Sequence, residues 1–133
     1  MSKLVVIIQC EQVQKRCSGY NCTHAFYTRD GKFADYPDET RYMSFTCGGC
    51  CGAGLTVKLE NLKKRLRRFQ EDGQEIIIHL SSCMVSDNYH KPPCPHLEYI
   101  MSLLEKKGFT VVKGTYISKT ASKKREAGIY KGF

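Results

Sequence analysis

Apolar residues along the chain come in two spacings, and each predicts a different element. Leu4–Gln9 (LVVIIQ), Glu75–Leu80 (EIIIHL) and Phe109–Lys113 (FTVVK) are continuous runs rich in valine and isoleucine, the pattern of strands buried on both faces, as in a parallel sheet. Tyr42–Thr46 (YMSFT) is a weaker run of the same kind. Leu55, Leu59, Leu62, Leu66 and Phe69 instead recur every three or four residues. That spacing lines one face of a helix and leaves Lys63, Lys64, Arg65, Arg67 and Arg68 off the stripe, with Gly73 as the expected stop. Leu97, Ile100, Met101 and Leu104 form a second stripe, with Pro95 suited to its first turn and Gly108 to its end. A weaker helix is expected from about Cys22 to Arg29, and the tail after Tyr116 carries no assignable pattern.

Strands and helices therefore alternate. By packing rules this order implies an α/β fold, a three-layer sandwich around a parallel sheet of four or more strands with right-handed crossovers, flavodoxin-like or Rossmann-like in kind. A chain of 133 residues suits one domain spanning 1–133. The first apolar run, Leu4 to Ile8, is too short for a signal peptide or a membrane span, so the expected location is the cytoplasm, with no membrane partner.

Eight cysteines change the picture. In a reducing compartment structural disulfides are rare, so thiols in this number point to metal or redox chemistry. Cys10 follows the first strand, Cys47, Cys50 and Cys51 the second, and Cys83 the third; Cys17 and Cys22 lie in the first strand-to-helix connection, and Cys94 at the start of the last helix. In a parallel sheet all these connections share the carboxyl edge, where open α/β sheets bind ligands. The stretch FTCGGCCG, Phe45 to Gly52, leads into the helix of Leu59, whose N-terminal N–H groups favour thiolate. Among the histidines, His79 falls inside a strand and reads as a core residue. His90 and His96 flank KPPCP near Cys94 and are better candidate ligands, with His24 between the two cases.

The chain carries a net charge of +8, with its densest cluster at Lys63–Arg68. Lying off the apolar stripe, that cluster reads as a solvated face, which argues against nucleic acid as a partner; Phe69, placed on the stripe, offers no exposed ring for base stacking.

These pieces in order, VVIIQC, RCSGYNC, FTCGGCCG, IIIHLSSC, CPH and VVKGTY, resemble the CGGC domain family of small cysteine-rich proteins, and the resemblance implies metal binding. The family usually has proline where this chain has Cys51, and often histidine where it has Tyr116, so no role carries over to Tyr116.

Metal or cluster binding is the leading expectation, with Cys10, Cys47, Cys50 and Cys83 as core ligands and Cys17, Cys22, Cys51, Cys94, His90 and His96 as further candidates. Zinc wants four sulfur or nitrogen ligands in a closed tetrahedron, whereas an iron–sulfur cluster accepts thiolates from separate loops and is slightly favoured. A small molecule or a redox protein would then be the other partner. Two alternatives remain: a metal-free thiol oxidoreductase using the Cys47/Cys50 pair, and a phosphatase-like or arsenate-reductase-like oxyanion site in CEQVQKR, where Cys10 and Arg16 have C-x5-R spacing. That loop lacks glycine and carries Glu11, which repels an anion.

Overall fold

In the computed structural model, which describes residues 3–49, 54–85, 94–116 and 119–128, the first apolar run sits inside the sheet. β1 (Lys3–Gln9) pairs with β2 (Arg41–Thr46) on one side and β3 (Glu75–Leu80) on the other, and β3 pairs with β4 (Thr110–Lys113). Every pair is parallel and the order is β2-β1-β3-β4. A strand with neighbours on both edges and helices on both faces needs apolar side chains in both directions, which explains the uninterrupted run.

Leu4, Val6 and Ile8 face one layer, with Ile78 and Leu80 of β3. Covering them are α2 (Leu55–Arg68), through Leu55 and Leu59, and α4 (Leu97–Lys106), through Ile100 and Leu104. Val5 and Ile7 face the other way, against Ala25 and Phe26 of α1 (Tyr20–Thr28) and against Phe33 of a 3-10 turn, Gly31–Phe33. The result is the three-layer α/β sandwich that the alternating pattern implies. Between β3 and α4 lies one short turn of helix, α3 (Ser82–Val85), and the unassigned tail contains α5 (Lys119–Glu126). Among the described residues no helix is long and apolar enough to cross a membrane.

Three local expectations are corrected. Phe69 is not on the core stripe: it caps the C-terminal end of α2 and is 66% exposed, so the expectation that it offers no exposed ring for base stacking is overturned as well. Gly73 is not the stop of that helix. Gln70 takes the left-handed conformation there (φ 57°), its N–H bonds to the Arg67 carbonyl at 3.1 Å, and the Glu71 N–H reaches the Leu66 carbonyl at 2.8 Å. These two bonds make a Schellman end in which glutamine does what glycine usually does. Pro95 lies just before the His96 cap of α4 rather than in its first turn.

Candidate functional site

The sheet register sets a row of residues just beyond the strands. Gln9 of β1 pairs with Thr46 of β2, and the Cys47 N–H extends the ladder to the Gln9 carbonyl at 3.0 Å, so Cys10 and Cys47 emerge side by side. On the other side the Ser81 N–H bonds to the Ile8 carbonyl at 2.9 Å, and Cys83 follows in α3. The Gly114 N–H extends the last pair to the Leu80 carbonyl at 2.8 Å, which places Thr115 at the end of the row. Cys10 and Cys47 are buried, and both belong to the core layer beneath α2 and α4; Cys17, Cys83 and Cys94 pack against that same layer half-buried. The Cys94 N–H bonds to the Met84 carbonyl at 2.8 Å, tying the start of α4 to α3. Cys22, in the first turns of α1, comes in from the opposite layer. None of the six described cysteines is in a disulfide, and all six lie at the carboxyl edge, as the strand-and-loop order predicts. Cys50, Cys51 and His90 lie outside the described residues.

Polar groups gather around two of these thiols. The Cys22 sulfur and the Thr115 hydroxyl are 3.1 Å apart. The Thr115 hydroxyl oxygen accepts from the Ser82 N–H at 3.2 Å, which leaves its one proton to donate to the sulfur. Burial pushes the Cys22 thiol above its ordinary range; hydrogen bonds from Thr115, the Tyr116 N–H and the Gln9 side chain oppose this, while the neighbouring Cys17 thiol reinforces it. Cys83 is likewise pushed up by burial and by the thiols of Cys22 and Cys10, against hydrogen bonds from the Ser81 hydroxyl, 3.0 Å away, and from the Cys10 backbone. Cys83 is thus near enough to both Cys10 and Cys22 to sense their charge. Both shifted thiols already have donors aimed at sulfur, as a thiolate requires.

Ser81, Ser82, Thr115 and Gln9 are the parts of this arrangement that sequence reasoning missed. Ser82 joins the third and fourth strand ends: its hydroxyl accepts from the Thr115 N–H at 3.0 Å and donates to the Tyr116 carbonyl at 2.6 Å. Two serines directly before Cys83 were the available signal. Nothing in the spacing marks Thr115 as the neighbour of Cys22.

The glycines of the central loop have a structural use. Gly48 has φ 74°, and a Cβ there would lie 2.8 Å from the Gly54 Cα. The chain crosses itself at this point, with glycine on both sides, before α2 begins. The Cys47 thiol donates inside the same turn to the Gly49 carbonyl at 3.3 Å.

The histidines separate clearly. His79 is fully buried: its Nδ1–H donates to the Gly114 carbonyl at 2.9 Å, so Nε2 accepts from the Tyr36 hydroxyl at 2.6 Å, with the Phe33 ring packed alongside. It is a satisfied core histidine. His24 is exposed on α1 beside Tyr20, and His96 caps α4 half-buried without bonding the cap N–H groups. Burial holds the His79 imidazole below the ordinary value of 6.5, opposed by the Gly114 carbonyl and aided by Lys32. A histidine with a depressed folded pKa binds fewer protons in the native state, so its contribution is full above 6.5 and is lost as pH falls below that value. Urea titrations between about pH 7 and 5 should show stability falling, by at most about 1.4 kcal/mol per pH unit from this group. His79→Gln should flatten that part of the slope, and an unchanged slope would locate the pH sensitivity elsewhere.

The oxyanion alternative fits poorly. Between Cys10 and Arg16 the chain forms a 3-10 turn, Val13–Lys15, in which the Gln14 N–H bonds to the Cys10 carbonyl and the N–H groups of Arg16 and Cys17 both reach the Val13 carbonyl, all within 3.0 Å. Donors that an anion cradle would need are already used internally. The donor set does fit a thiophilic metal or a cluster in its chemistry. In its geometry, no three histidine, cysteine or carboxylate residues among those described surround one point where a single ion could sit.

Comparison with known proteins agrees with this cysteine-rich domain. The family model of the CGGC domain matches residues 4–116. An uncharacterized protein of Methanocaldococcus jannaschii is 30% identical over 120 residues, covering 84% of this chain and 85% of its own length. No solved structure matches significantly.

Proposed function

The chain belongs to the CGGC domain family, and from that premise we propose that it is a cysteine-ligated metal protein whose centre is an iron–sulfur cluster held at the carboxyl edge of the sheet. The observation that carries this reading is the gathering of six cysteines outside disulfides, from separate strand ends and helix starts, at one edge. A tetrahedral zinc site needs four donors around a single point; a cluster spans more space and takes its thiolates from several loops, which suits donors spread along a row. Cys10, Cys47, Cys50 and Cys83 are the proposed ligands; Cys22, whose charge Cys83 senses, and Cys17, whose charge Cys22 senses, are further candidates. The Cys10 N–H directed at Cys83, and the Thr115, Tyr116 and Gln9 groups directed at Cys22, would withdraw charge from thiolate sulfur. When bound, the cluster supplies one-electron transfer.

The test is purification without oxygen, followed by iron, zinc and acid-labile sulfide analysis and an absorption spectrum. Brown protein containing iron and sulfide is the expected result. Colourless protein containing zinc would replace the cluster with a tetrahedral site. Protein without metal, whose thiols all titrate, would overturn metal binding and return Cys47 and Cys50 to a redox pair.

A further inference from the structure

Among the described residues β2 is an edge strand, and its alternation defines what it offers outward. Because the Cys47 N–H bonds to β1, the backbone groups of Met43 and Phe45 also face β1, and those of Tyr42, Ser44 and Thr46 point away from the sheet. Among the described residues only Lys58 meets that outer edge, its Nζ donating to the Thr46 carbonyl at 3.0 Å. Above the edge, between β2 and α2, runs a groove of about 500 Å³. Its apolar lining is Met43, Phe45, Leu62 and Val57, and its charged lining is Lys58 and Arg65, with no carboxylate. Arg68 continues the same side of the helix one turn beyond Arg65. The acidic groups nearest in sequence are engaged elsewhere: Glu60 pairs with Lys107 at 3.9 Å, and Glu71 pairs with Arg41. Among the described residues Arg65 and Arg68 have no ion pair. Val57 and Phe69 are exposed apolar residues near the two ends of this helix.

We propose that this face docks an extended acidic segment of a partner protein, which adds as a strand to the open edge of β2. The segment's main chain bonds to the outward groups of Tyr42 and Ser44. Its alternate apolar side chains enter the groove over Met43 and Phe45, and its carboxylates meet Arg65, Arg68 and Lys58. Charge decides among the occupants. A second copy of this chain, itself carrying a net charge of +8, would set one basic helix against another. A nucleic acid would satisfy the arginines and find the exposed Phe69 ring beyond Arg68, but it would leave Met43, Val57 and Leu62 facing sugar and phosphate, and the ring in the groove itself, Phe45, already carries Lys58 over its face at 5.4 Å. An acidic, apolar segment answers the cations, the groove and the open edge together. Such docking ends beside Cys47, two residues beyond Phe45, although the surface stands independently of what the cysteines bind.

The experiment uses the full chain and a fluorescent peptide of alternating glutamate and leucine. Anisotropy should report saturable binding that weakens with salt and weakens about tenfold or more in Arg65→Glu. Lys123→Glu, an equal change of charge at an exposed residue of α5, should bind as the parent does. A peptide alternating lysine and leucine should prefer the Arg65→Glu protein, and amide exchange at Tyr42 and Ser44 should slow when the parent binds its peptide. The proposal is overturned if Arg65→Glu binds unchanged, if a glutamate–serine peptide binds equally well, if a single-stranded oligonucleotide binds this face more tightly than the peptide, or if the chain dimerises through β2.

Discussion

Gly48→Ala should destabilise the fold by about 3 kcal/mol, whereas Gly49→Ala should cost about 1 kcal/mol. Both glycines have positive φ, 74° and 111°, so both alanines suffer backbone strain. Only at Gly48 does the new Cβ also meet backbone, 2.8 Å from the Gly54 Cα; around Gly49 there is nothing within 4 Å. Backbone cannot rotate aside as a flexible side chain can, so relief requires the start of α2 to shift. Because α2 buries Leu55 and Leu59 in the main core layer, that shift propagates into packing. Chemical denaturation of both variants, with metal removed from all samples, measures the difference. Equal losses would mean that the crossing of Gly48 over Gly54 does not constrain the loop.

If the proposed centre is present, replacing one of its proposed ligands should have the largest effect on metal content. Cys10→Ser, Cys47→Ser, Cys50→Ser and Cys83→Ser, prepared without oxygen, are each expected to lose most of it, and the metal-loaded melting temperature should fall with it because binding free energy is part of folding free energy. Serine keeps the size and loses the soft donor, so the apoproteins should differ far less than the loaded ones. Acid should act in the same direction. With Cys83 and Cys22 pushed up by burial in the apoprotein, a metal must displace their protons, and retention should fall as pH drops. Full metal retention in both Cys47→Ser and Cys50→Ser would remove those two from the ligand set.

Some of this was legible in the sequence because its physical cause is local. Leu4–Ile8 reads as a doubly covered strand, and Leu55, Leu59, Ile100 and Leu104 read as core faces, because period and burial are linked through backbone geometry. The same rule failed at Phe69, where the period continued but the helix did not: Gln70 turned the chain with φ 57°, a conformation that glutamine rarely advertises. The carboxyl-edge location of the described cysteines followed from element order alone. Which thiols come near one another did not, because that depends on how far each connection reaches back across the sheet. Cys22 meets Thr115 across 93 residues, and His79 meets Tyr36 across 43. Side-chain partnerships at such separations leave no periodic trace. The glycines drew notice as a bare backbone, yet the close approach they permit includes the chain's own second pass at Gly54.

The strand order also has a consequence for synthesis. β1 leaves the ribosome before either of its neighbours, β2 at Arg41–Thr46 and β3 at Glu75–Leu80, yet it occupies an inner position in the sheet. Until Leu80 has emerged, the nascent chain carries Leu4–Ile8 with one whole edge unsatisfied, and α4, which covers part of its face, is still unmade. A short, uncharged, β-branched run in that condition is what holdase chaperones recognise and what stacks into aggregates when they are absent. Lys3 in front of the run and Gln9–Glu11 behind it are the polar flanks that restrain such stacking during the interval.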